Sequence, residues 1–268
     1  MIDKNIQENL RSIYNPDGSN LRNQQLRMLE MLKYFDNICK KNNIKYWLSS
    51  GTCLGAIRHE GFIPWDDDTD VEMYREDYLK LEKVFVESEN YVLQTWKNDS
   101  YYNLPFAKIR DKNSIIYDSL YTYKGIFIDI FIIEKVPKSM SRFALKFSGK
   151  LNEFYTKAKQ NNNVSKTKYF LFKKLNFIII IPAIRLLSKC INLFFHSDYR
   201  HTIGCSWINN IRKSEEIGNT RPVLFEGVLL PVPENYHQYL TRIYGDYMTL
   251  PHKEQIQPPH AEYLRFIK

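Results

Sequence analysis

The sequence predicts an α+β or α/β fold in which helices flank a small mixed sheet. In residues 20–42, apolar side chains recur every three or four positions, which is the period of an amphipathic helix. Short apolar runs typical of strands follow. The longest, residues 125–133, is apolar along almost its whole length and is expected to be a buried strand.

The first predicted strand, residues 44–50, is followed by a glycine turn. The strand ends at Gly51, and residues 52–58 are predicted to form a short helix. Because the first backbone N–H groups of a helix attract phosphate, Gly51 and Thr52 are candidates for a phosphate-binding turn.

A second strand, residues 68–74, carries acidic side chains. Alternation along a strand places Asp68, Asp70 and Glu72 on one side. The remaining predicted elements are a helix at 75–87, strands at 91–97 and 106–111, a hairpin at 222–233 and a helix at 234–244 that Gly245 ends.

Composition sets the class of protein. With 268 residues, of which 44% are hydrophobic, the chain can bury a core, and this excludes global disorder. Its four cysteines are far apart in sequence, which argues against a disulfide framework and a structural zinc site. The first residues lack the apolar core of a secretory signal, so we expect a cytoplasmic protein.

The net charge of +8 is concentrated in one segment. Residues 138–189 contain twelve basic residues and one acidic residue, which leaves 26 basic and 29 acidic residues in the rest of the chain. A basic insertion within an acidic body does not favour nucleic acid as a partner. We therefore divide the chain into a catalytic core at 1–137, an insertion at 138–196 and a C-terminal part at 197–268 that completes the catalytic domain.

The insertion is predicted to be mainly helical, with a polar break at 160–163. Its apolar run, residues 177–184, is shorter than the about 20 residues of a membrane span, so no spanning helix is expected. After Pro182, polar and apolar residues separate onto opposite helix faces. The apolar face could pack on the core or lie on a membrane, and the upstream basic residues favour an anionic membrane surface.

Four aspartates occur within the five residues 66–70. Such a concentration of like charge is costly unless a cation compensates it. An EF-hand calcium loop is excluded because its glycine and glutamate positions hold Val71 and Asp77. A solvated acidic turn is disfavoured by the apolar residues on both sides. Carboxylate oxygens select magnesium or manganese, and magnesium is usually shared with substrate phosphates, which indicates phosphoryl chemistry.

Asp129 lies within the otherwise apolar strand at 125–133. A buried carboxylate needs a partner, so Asp129 is our candidate to complete the metal site. The alternative is a buried hydrogen bond to a backbone amide.

Residues 46–70, YWLSSGTCLGAIRHEGFIPWDDDTD, resemble the signature of LicD-type phosphotransferases, a group similar to fukutin-related protein. The resemblance continues at 125–131, GIFIDIF, and at 244–248, YGDYM. It implies a nucleotidyltransferase fold with catalytic, metal-binding acids at Asp68, Asp70 and Asp129, and with Asp66 as an auxiliary ligand. Glu72 and residues 132–134 depart from the family pattern, which makes substrate preference less transferable.

The resemblance also implies transfer of phosphocholine or a polyol phosphate from a CDP-linked donor to a hydroxyl of a lipid-linked or surface glycan, with CMP as the leaving group. A separating pyrophosphate needs positive charge, and we expect Arg58, Lys108 and Arg110 on the donor phosphates. Each of these cations could instead be structural, as could His59 within the signature.

Two other functions stay open. A nucleotidyltransferase would attach NMP to a small molecule and release pyrophosphate from an NTP. A non-catalytic glycan- or lipid-binding protein would not need the aspartates. Because glycans of this kind are commonly assembled on lipid carriers, we expect peripheral association with the inner face of the cell membrane.

Overall fold

The computed structural model describes residues 2–116, 119–160, 166–195, 199–205, 211–256 and 264–267. Five strands form the centre of the fold: β1 (Trp47–Leu48), β2 (Asp70–Tyr74), β3 (Tyr91–Gln94), β4 (Ala107–Asp111) and β6 (Phe127–Lys135). Their order in the sheet is β1-β2-β6-β4-β3. Strands β2 and β6 are parallel and the other neighbours are antiparallel. The predicted small mixed sheet is confirmed.

Six shorter or peripheral strands complete the β-structure: β5 (Ser114–Ile115), β7 (Tyr199–His201), β8 (Ile211–Lys213), β9 (Thr220–Phe225), β10 (Val228–Pro233) and β11 (Arg265–Phe266). The hairpin of β9 and β10 confirms the one predicted at 222–233. Strands β7 and β8 extend the sheet from the end of β6, and β5 pairs with β11. These last four strands were not predicted, because two or three residues are too few to show an alternating pattern.

The helices are α1 (Lys4–Tyr14), α2 (Asn20–Lys41), α3 (Ser50–His59), α4 (Arg75–Val84), α5 (Lys138–Lys159), α6 (Lys166–Lys174), α7 (Ile181–Phe194) and α8 (Tyr236–Tyr244). Helix α2 begins at Ser19, whose hydroxyl accepts a hydrogen bond from the Arg22 N–H at 3.2 Å. Its apolar face is fully buried in the core around the sheet. Helix α1 was not predicted, although Ile6, Leu10, Ile13 and Tyr14 have the spacing of one apolar helix face.

The β9–β10 turn joins the C-terminal part of the chain to the segment before the aspartates. Glu226 in this turn accepts hydrogen bonds from both terminal nitrogens of Arg22 at 2.8 and 3.2 Å. A Cβ atom on Gly61 would lie 2.4 Å from Glu226 Oε1, so this approach requires glycine. The start of the aspartate segment is therefore held between α2 and the hairpin.

Helices α5 to α7 form a unit with a hydrophobic cluster separate from the core around the sheet. A π-helical stretch, Leu175–Ile180, joins α6 to α7, so the chain is continuously helical from Lys166 to Phe194. The predicted polar break begins at Gln160, where α5 ends, and its other residues lie outside the described part of the chain.

The helix Lys166–Phe194 is long and apolar enough to cross a membrane, judged by length and composition alone. This differs from the expectation based on an eight-residue apolar run, because the helix continues through the π-helical stretch and gathers apolar residues on both sides of that run. Only 22% of its most apolar window is buried. Its exposed side, the apolar stripe, contains Leu171, Leu175, Ile178, Ile179, Leu186, Leu187, Leu193 and Phe194.

The polar face of α7 points towards the protein. Arg185 is bonded to Glu134 of β6, the Asn192 side-chain amide donates to the Lys135 carbonyl at 3.0 Å, and Ser188 is buried. Apart from buried residues such as Ile184, the predicted apolar face lies outwards. Helix α7 is thus amphipathic as predicted, with most of its apolar side exposed.

Candidate active site

Helix α2 holds the backbone of the aspartate segment. The side-chain amide of Gln24 donates to the Asp67 carbonyl at 2.6 Å, and that of Gln25 donates to the Asp66 carbonyl at 2.9 Å. Both glutamines are buried, which strengthens these contacts by excluding water. Sequence reasoning missed them, since a glutamine on an amphipathic helix gives no sign of a distant partner.

Two of the predicted acids meet on neighbouring strands. Asp70 is the first residue of β2, and its Cα partner on the parallel strand β6 is Asp129. The Asp129 N–H donates to the Thr69 carbonyl at 2.8 Å, and the Asp70 N–H donates to the Thr52 hydroxyl at 2.8 Å. Strand β2 begins two residues later than predicted, so Asp68 lies in the segment before it.

The four predicted acids form one electrostatic cluster. Burial, followed by the charge of Asp68 and a hydrogen bond with it, raises the pKa of Asp66 well above its usual range. Burial, followed by the charges of Asp68 and Asp129, does the same to the pKa of Asp70. Asp70 Oδ1 is buried and has no hydrogen-bond partner. The protein alone therefore does not supply enough positive charge for all of these carboxylates to be ionised together.

Lys108 of β4 supplies a cation to this cluster. It is the Cα partner of Asp129, and its ammonium donates to Asp129 Oδ1. The ammonium also lies 3.5 Å from the centre of the Phe127 ring, a cation–π contact. Burial lowers the pKa of Lys108, and burial raises that of Asp129 although Lys108 opposes the change. The structure thus brings Lys108 into the site, as predicted.

The glycine turn also lies against the acids. A Cβ atom on Gly51 would lie 2.9 Å from Asp66 Oδ2, so the Asp66 carboxylate lies directly against the first turn of α3. The hydroxyl of Thr52 is used within the protein as the acceptor for Asp70. The turn and the acids are therefore one structural unit.

Arg58 and Arg110 have protein partners. Arg58 donates from Nε to His59 Nε2 at 2.9 Å and from Nη1 to the Tyr247 carbonyl at 2.8 Å, and burial lowers its pKa to about 10. Arg110 is fully buried and donates to Gln94 and to the Gly125 carbonyl. These contacts give both side chains a structural role, and contact with donor phosphates stays a prediction.

His59 has a structural environment. Because Nε2 accepts from Arg58, Nδ1 carries the proton and donates to Gln7 Oε1 of α1 at 2.6 Å. Burial and the adjacent Arg58 charge lower the pKa of His59 to about 3, so it is neutral at physiological pH.

The acids have the chemistry of a magnesium or manganese site, with hard oxygen donors and an unpartnered buried oxygen on Asp70. Across the described residues, however, no group of three or more His, Cys, Asp or Glu side chains is arranged so that it could hold a metal ion. Asp129 is instead bonded to Lys108, and Asp66 to Asp68. The donor set fits the cation, and its side chains would have to turn towards it.

A buried polar network behind the glycine turn was not predicted. Glu72 accepts from Arg212 of β8 at 2.8 Å and from the Trp47 indole at 3.0 Å. The Arg212 guanidinium lies over the ring of Tyr239, and the Ser50 N–H donates to the Tyr239 hydroxyl oxygen at 2.9 Å. The only signal in the sequence was Glu72 itself, a departure from the family pattern.

Tyr244, the last residue of α8, is a further candidate. Its pKa is raised by burial and by Tyr239, and further by Asp70, Asp66 and Asp68, which shows that it lies near the carboxylates. It opens the YGDYM segment noted above, which was the available signal.

The chain is similar in sequence to known proteins. Residues 43–178 match the family model described as LicD/FKTN/FKRP, nucleotidyltransferase domain. The lipopolysaccharide cholinephosphotransferase LicD of Haemophilus influenzae is 35% identical over 262 residues, which cover 90% of this chain and 96% of that protein. Human ribitol 5-phosphate transferase FKRP is 38% identical over 55 residues, or 20% of this chain and 11% of its own length. Mouse ribitol-5-phosphate transferase FKTN is 40% identical over 52 residues, with 19% and 11% covered.

Proposed function

Because this chain belongs to the LicD family and is a phosphate-group transferase, we propose that it moves phosphocholine or a polyol phosphate from a CDP-linked donor to a hydroxyl of a surface glycan. The H. influenzae relative, matched over almost its whole length, is a lipopolysaccharide cholinephosphotransferase. The observation that carries the proposal is the register of Asp70 with Asp129, which joins the aspartate segment to a third acid and to Lys108.

In the proposed reaction, the acceptor hydroxyl oxygen attacks the phosphorus that bears choline or the polyol. The bond from that phosphorus to the bridging oxygen breaks, and CMP leaves with the bonding electrons. A magnesium or manganese ion held by Asp66, Asp68, Asp70 and Asp129 would neutralise phosphate charge and align the donor. Asp129 would either share this ion or accept the hydroxyl proton; it is buried, and its carboxylate is oriented by Lys108.

The protein contributes orientation and positive charge. The Thr52 hydroxyl joins the start of β2 to α3, and the Thr69 carbonyl joins the residue before β2 to Asp129 of β6. Lys108 lies in the site and could exchange its bond with Asp129 for one to a donor phosphate, which would place its charge where negative charge develops. The first turn of α3 offers backbone N–H groups beside Asp66.

A donor screen tests this function. The purified protein would be incubated with magnesium and CDP-choline, CDP-glycerol or CDP-ribitol, with and without lipid-linked glycan, and CMP would be measured. We expect acceptor-dependent CMP release from one donor and loss of release after chelation by EDTA. Pyrophosphate release from an NTP would instead identify a nucleotidyltransferase, and turnover that persists without the aspartates would contradict the site.

We also propose that the protein lies on the inner face of the cell membrane through the insertion. The supporting observation is the orientation of α7, which points Arg185 and Asn192 towards β6 and exposes Leu186, Leu193 and Phe194. Exposed apolar groups of this size are favourable only where something covers them. The basic residues of 138–189 suit an anionic lipid surface.

Vesicle binding tests this placement. At low salt the protein is expected to sediment with vesicles of anionic lipid, and a variant lacking residues 139–195 is expected to stay in solution, provided that circular dichroism shows that it folds. A full-length protein that ignores anionic vesicles would contradict the placement without affecting the transferase assignment.

A further inference from the structure

A cavity of about 210 Å³ lies where the insertion meets the catalytic body. Its lining comes from α4, from the segment that follows β3, from β6 and from α7. The residues include Arg75, Trp96, Ile132 and Arg185. This volume is below the roughly 300 to 1,000 Å³ of a pocket for a drug-sized ligand, so the cavity suits a small charged group better than a nucleotide.

The cavity is separate from the aspartate site. Glu134, which bonds Arg185 beside the cavity, follows Asp129 by five residues along β6, a distance of about 16 Å at the rise of a strand. Arg75 likewise follows the last residue of β2, at the opposite end from Asp70. The two sites occupy opposite ends of the same pair of parallel strands.

Two guanidinium groups share a single carboxylate beside this cavity. Arg185 binds both oxygens of Glu134 through Nε at 2.9 and 2.7 Å, whereas Arg75 Nε lies 3.7 Å from the nearer oxygen. Arg75 therefore makes no hydrogen bond to Glu134. The third cation of the lining, Lys97, is neutralised by Glu82 at 2.6 Å. These five charged groups leave a surplus of one positive charge.

The surplus charge is accessible and only partly hydrated. The side chain of Arg75 is 33% exposed and that of Arg185 is 22% exposed. Burial, followed by the repulsion of Arg185, lowers the pKa of Arg75, so an anion placed between the two groups would relieve both effects. Arginine is suited to bind a phosphate through two parallel N–H donors.

The position of the cavity indicates which phosphate it meets. Phe177, Ile181 and Pro182 form its helical wall, and this is the part of the long helix whose outer side carries Ile178 and Ile179 of the apolar stripe. If a phosphate group entered the cavity beside this wall, the hydrocarbon part of the same molecule could cover the neighbouring apolar stripe. A membrane lipid is the molecule that presents phosphate and hydrocarbon in this order.

We propose that Arg75 and Arg185 form a binding site for the phosphate of an anionic membrane lipid. The site would fix the orientation of the protein on the bilayer. An apolar stripe alone would allow rotation about the axis of the long helix. This inference rests on the proposed membrane placement and is independent of the donor and acceptor of the transfer reaction.

The test compares binding to vesicles of phosphatidylglycerol mixed with phosphatidylcholine and to vesicles of phosphatidylcholine alone. Wild type is expected to prefer phosphatidylglycerol and to keep part of this preference at about 0.5 M salt, because a partly buried ion contact is screened less than surface charge. Arg75→Gln should lower the preference by about fivefold, the effect of roughly 1 kcal/mol per basic group near the surface. Lys150→Gln, which removes an exposed charge of α5, should leave the high-salt preference unchanged.

Arg75→Lys separates a built site from general attraction. It retains the charge but not the two-donor geometry, so it should lose most of the high-salt preference. The proposal would be overturned if Arg75→Gln and Lys150→Gln had the same preference for phosphatidylglycerol vesicles at every salt concentration. It would also be overturned if Arg75→Lys kept the full high-salt preference. Protection from thermal unfolding by inorganic phosphate, with vesicle binding unchanged in the Arg75 variants, would also overturn the lipid assignment.

Circular dichroism and CMP release on the same variants complete the design. Folded variants that keep transfer activity and lose the lipid preference support the inference. If wild type binds neither kind of vesicle, the membrane placement fails and this inference fails with it. If only the CMP assay fails, the transferase proposal is wrong and the lipid site is unaffected.

Discussion

The aspartate end of the sheet and the helical insertion differ in how they treat polar and apolar groups. At the aspartate end, four carboxylates and Lys108 are close together, and the surrounding backbone is held by buried hydrogen bonds from Gln24, Gln25 and Thr52. In the insertion, α7 turns Arg185 and Asn192 towards the body and leaves large apolar side chains exposed.

This difference indicates two kinds of partner. Under the proposed function, the carboxylate cluster with its unpartnered oxygen on Asp70 would bind a cation and the phosphates that this cation holds. Under the proposed membrane placement, the exposed apolar stripe and the basic residues of the insertion would lie on a lipid surface. Chemistry and localisation are therefore assigned to separate regions, and variants in one region should leave the other function intact.

Asp70→Asn should have the largest effect. Removal of one carboxylate from the metal site is expected to lower kcat/KM by about 10³-fold, the size seen when an electrostatic contact to the reacting centre is lost. Circular dichroism should show an unchanged fold, and vesicle binding should be unchanged. Asp77→Asn is the matched control, since Asp77 is buried and bonded to Lys80 of α4 outside the site. Equal losses of activity in the two variants would contradict the assignment.

Arg212→Met should destabilise the body by about 3 to 5 kcal/mol in urea unfolding, because it leaves Glu72 buried without its cation. The double variant Glu72→Leu/Arg212→Met should recover most of this loss. A single variant as stable as wild type would show that the ion pair does not support the glycine turn.

Leu186→Ser combined with Leu193→Ser should weaken vesicle binding by about 10²- to 10⁴-fold, since burial of each leucine contributes about 1.5 to 3 kcal/mol. Both side chains are exposed, so the free energy of unfolding should change by less than about 0.5 kcal/mol each. Leu26→Ser, at an exposed leucine on α2 that does not line the cavity of Arg75 and Arg185, is the control. A loss of stability with unchanged vesicle binding would mean that the stripe packs on protein.

His59 should make a smaller contribution to stability that depends on pH. Its folded pKa of about 3 lies below the usual value near 6.5, so the unfolded state binds more protons between these values and stability falls as the pH is lowered. From pH 7 to pH 5 the loss attributed to His59 is about 2 kcal/mol. We expect the free energy of unfolding of His59→Gln, measured in urea, to fall by about 2 kcal/mol less than that of wild type over this pH range. Parallel curves for the two proteins would refute a neutral buried His59.

Much of the fold could be predicted because its signals are local. The helix period of α2, the apolar run of β6 and the turn residues of the β9–β10 hairpin each lie within a short stretch. The short strands β7 and β8 could not be predicted, since they exist only by pairing with β6 and with each other.

The candidate site was predictable to the extent that its residues are clustered in sequence. Asp66, Asp68 and Asp70 are adjacent, and Asp129 is conspicuous as a charge in an apolar strand. The bond between Glu72 and Arg212 joins residues 140 positions apart, and no local pattern indicates it. Family resemblance suggested the roles of the acids, which stay predictions, and the match to 96% of the H. influenzae protein confirms the family.

The sequence by itself determined the family and the existence of a basic helical segment, because these depend on residue types and on local spacing. The magnesium or manganese ion that the acids would select stays a prediction. Tertiary structure decided that Asp70 stands beside Asp129, that Lys108 reaches the same carboxylate, and which face of α7 is covered. Periodicity shows that a helix has two faces or that a strand is buried. Only the packing of distant segments determines which groups those faces meet.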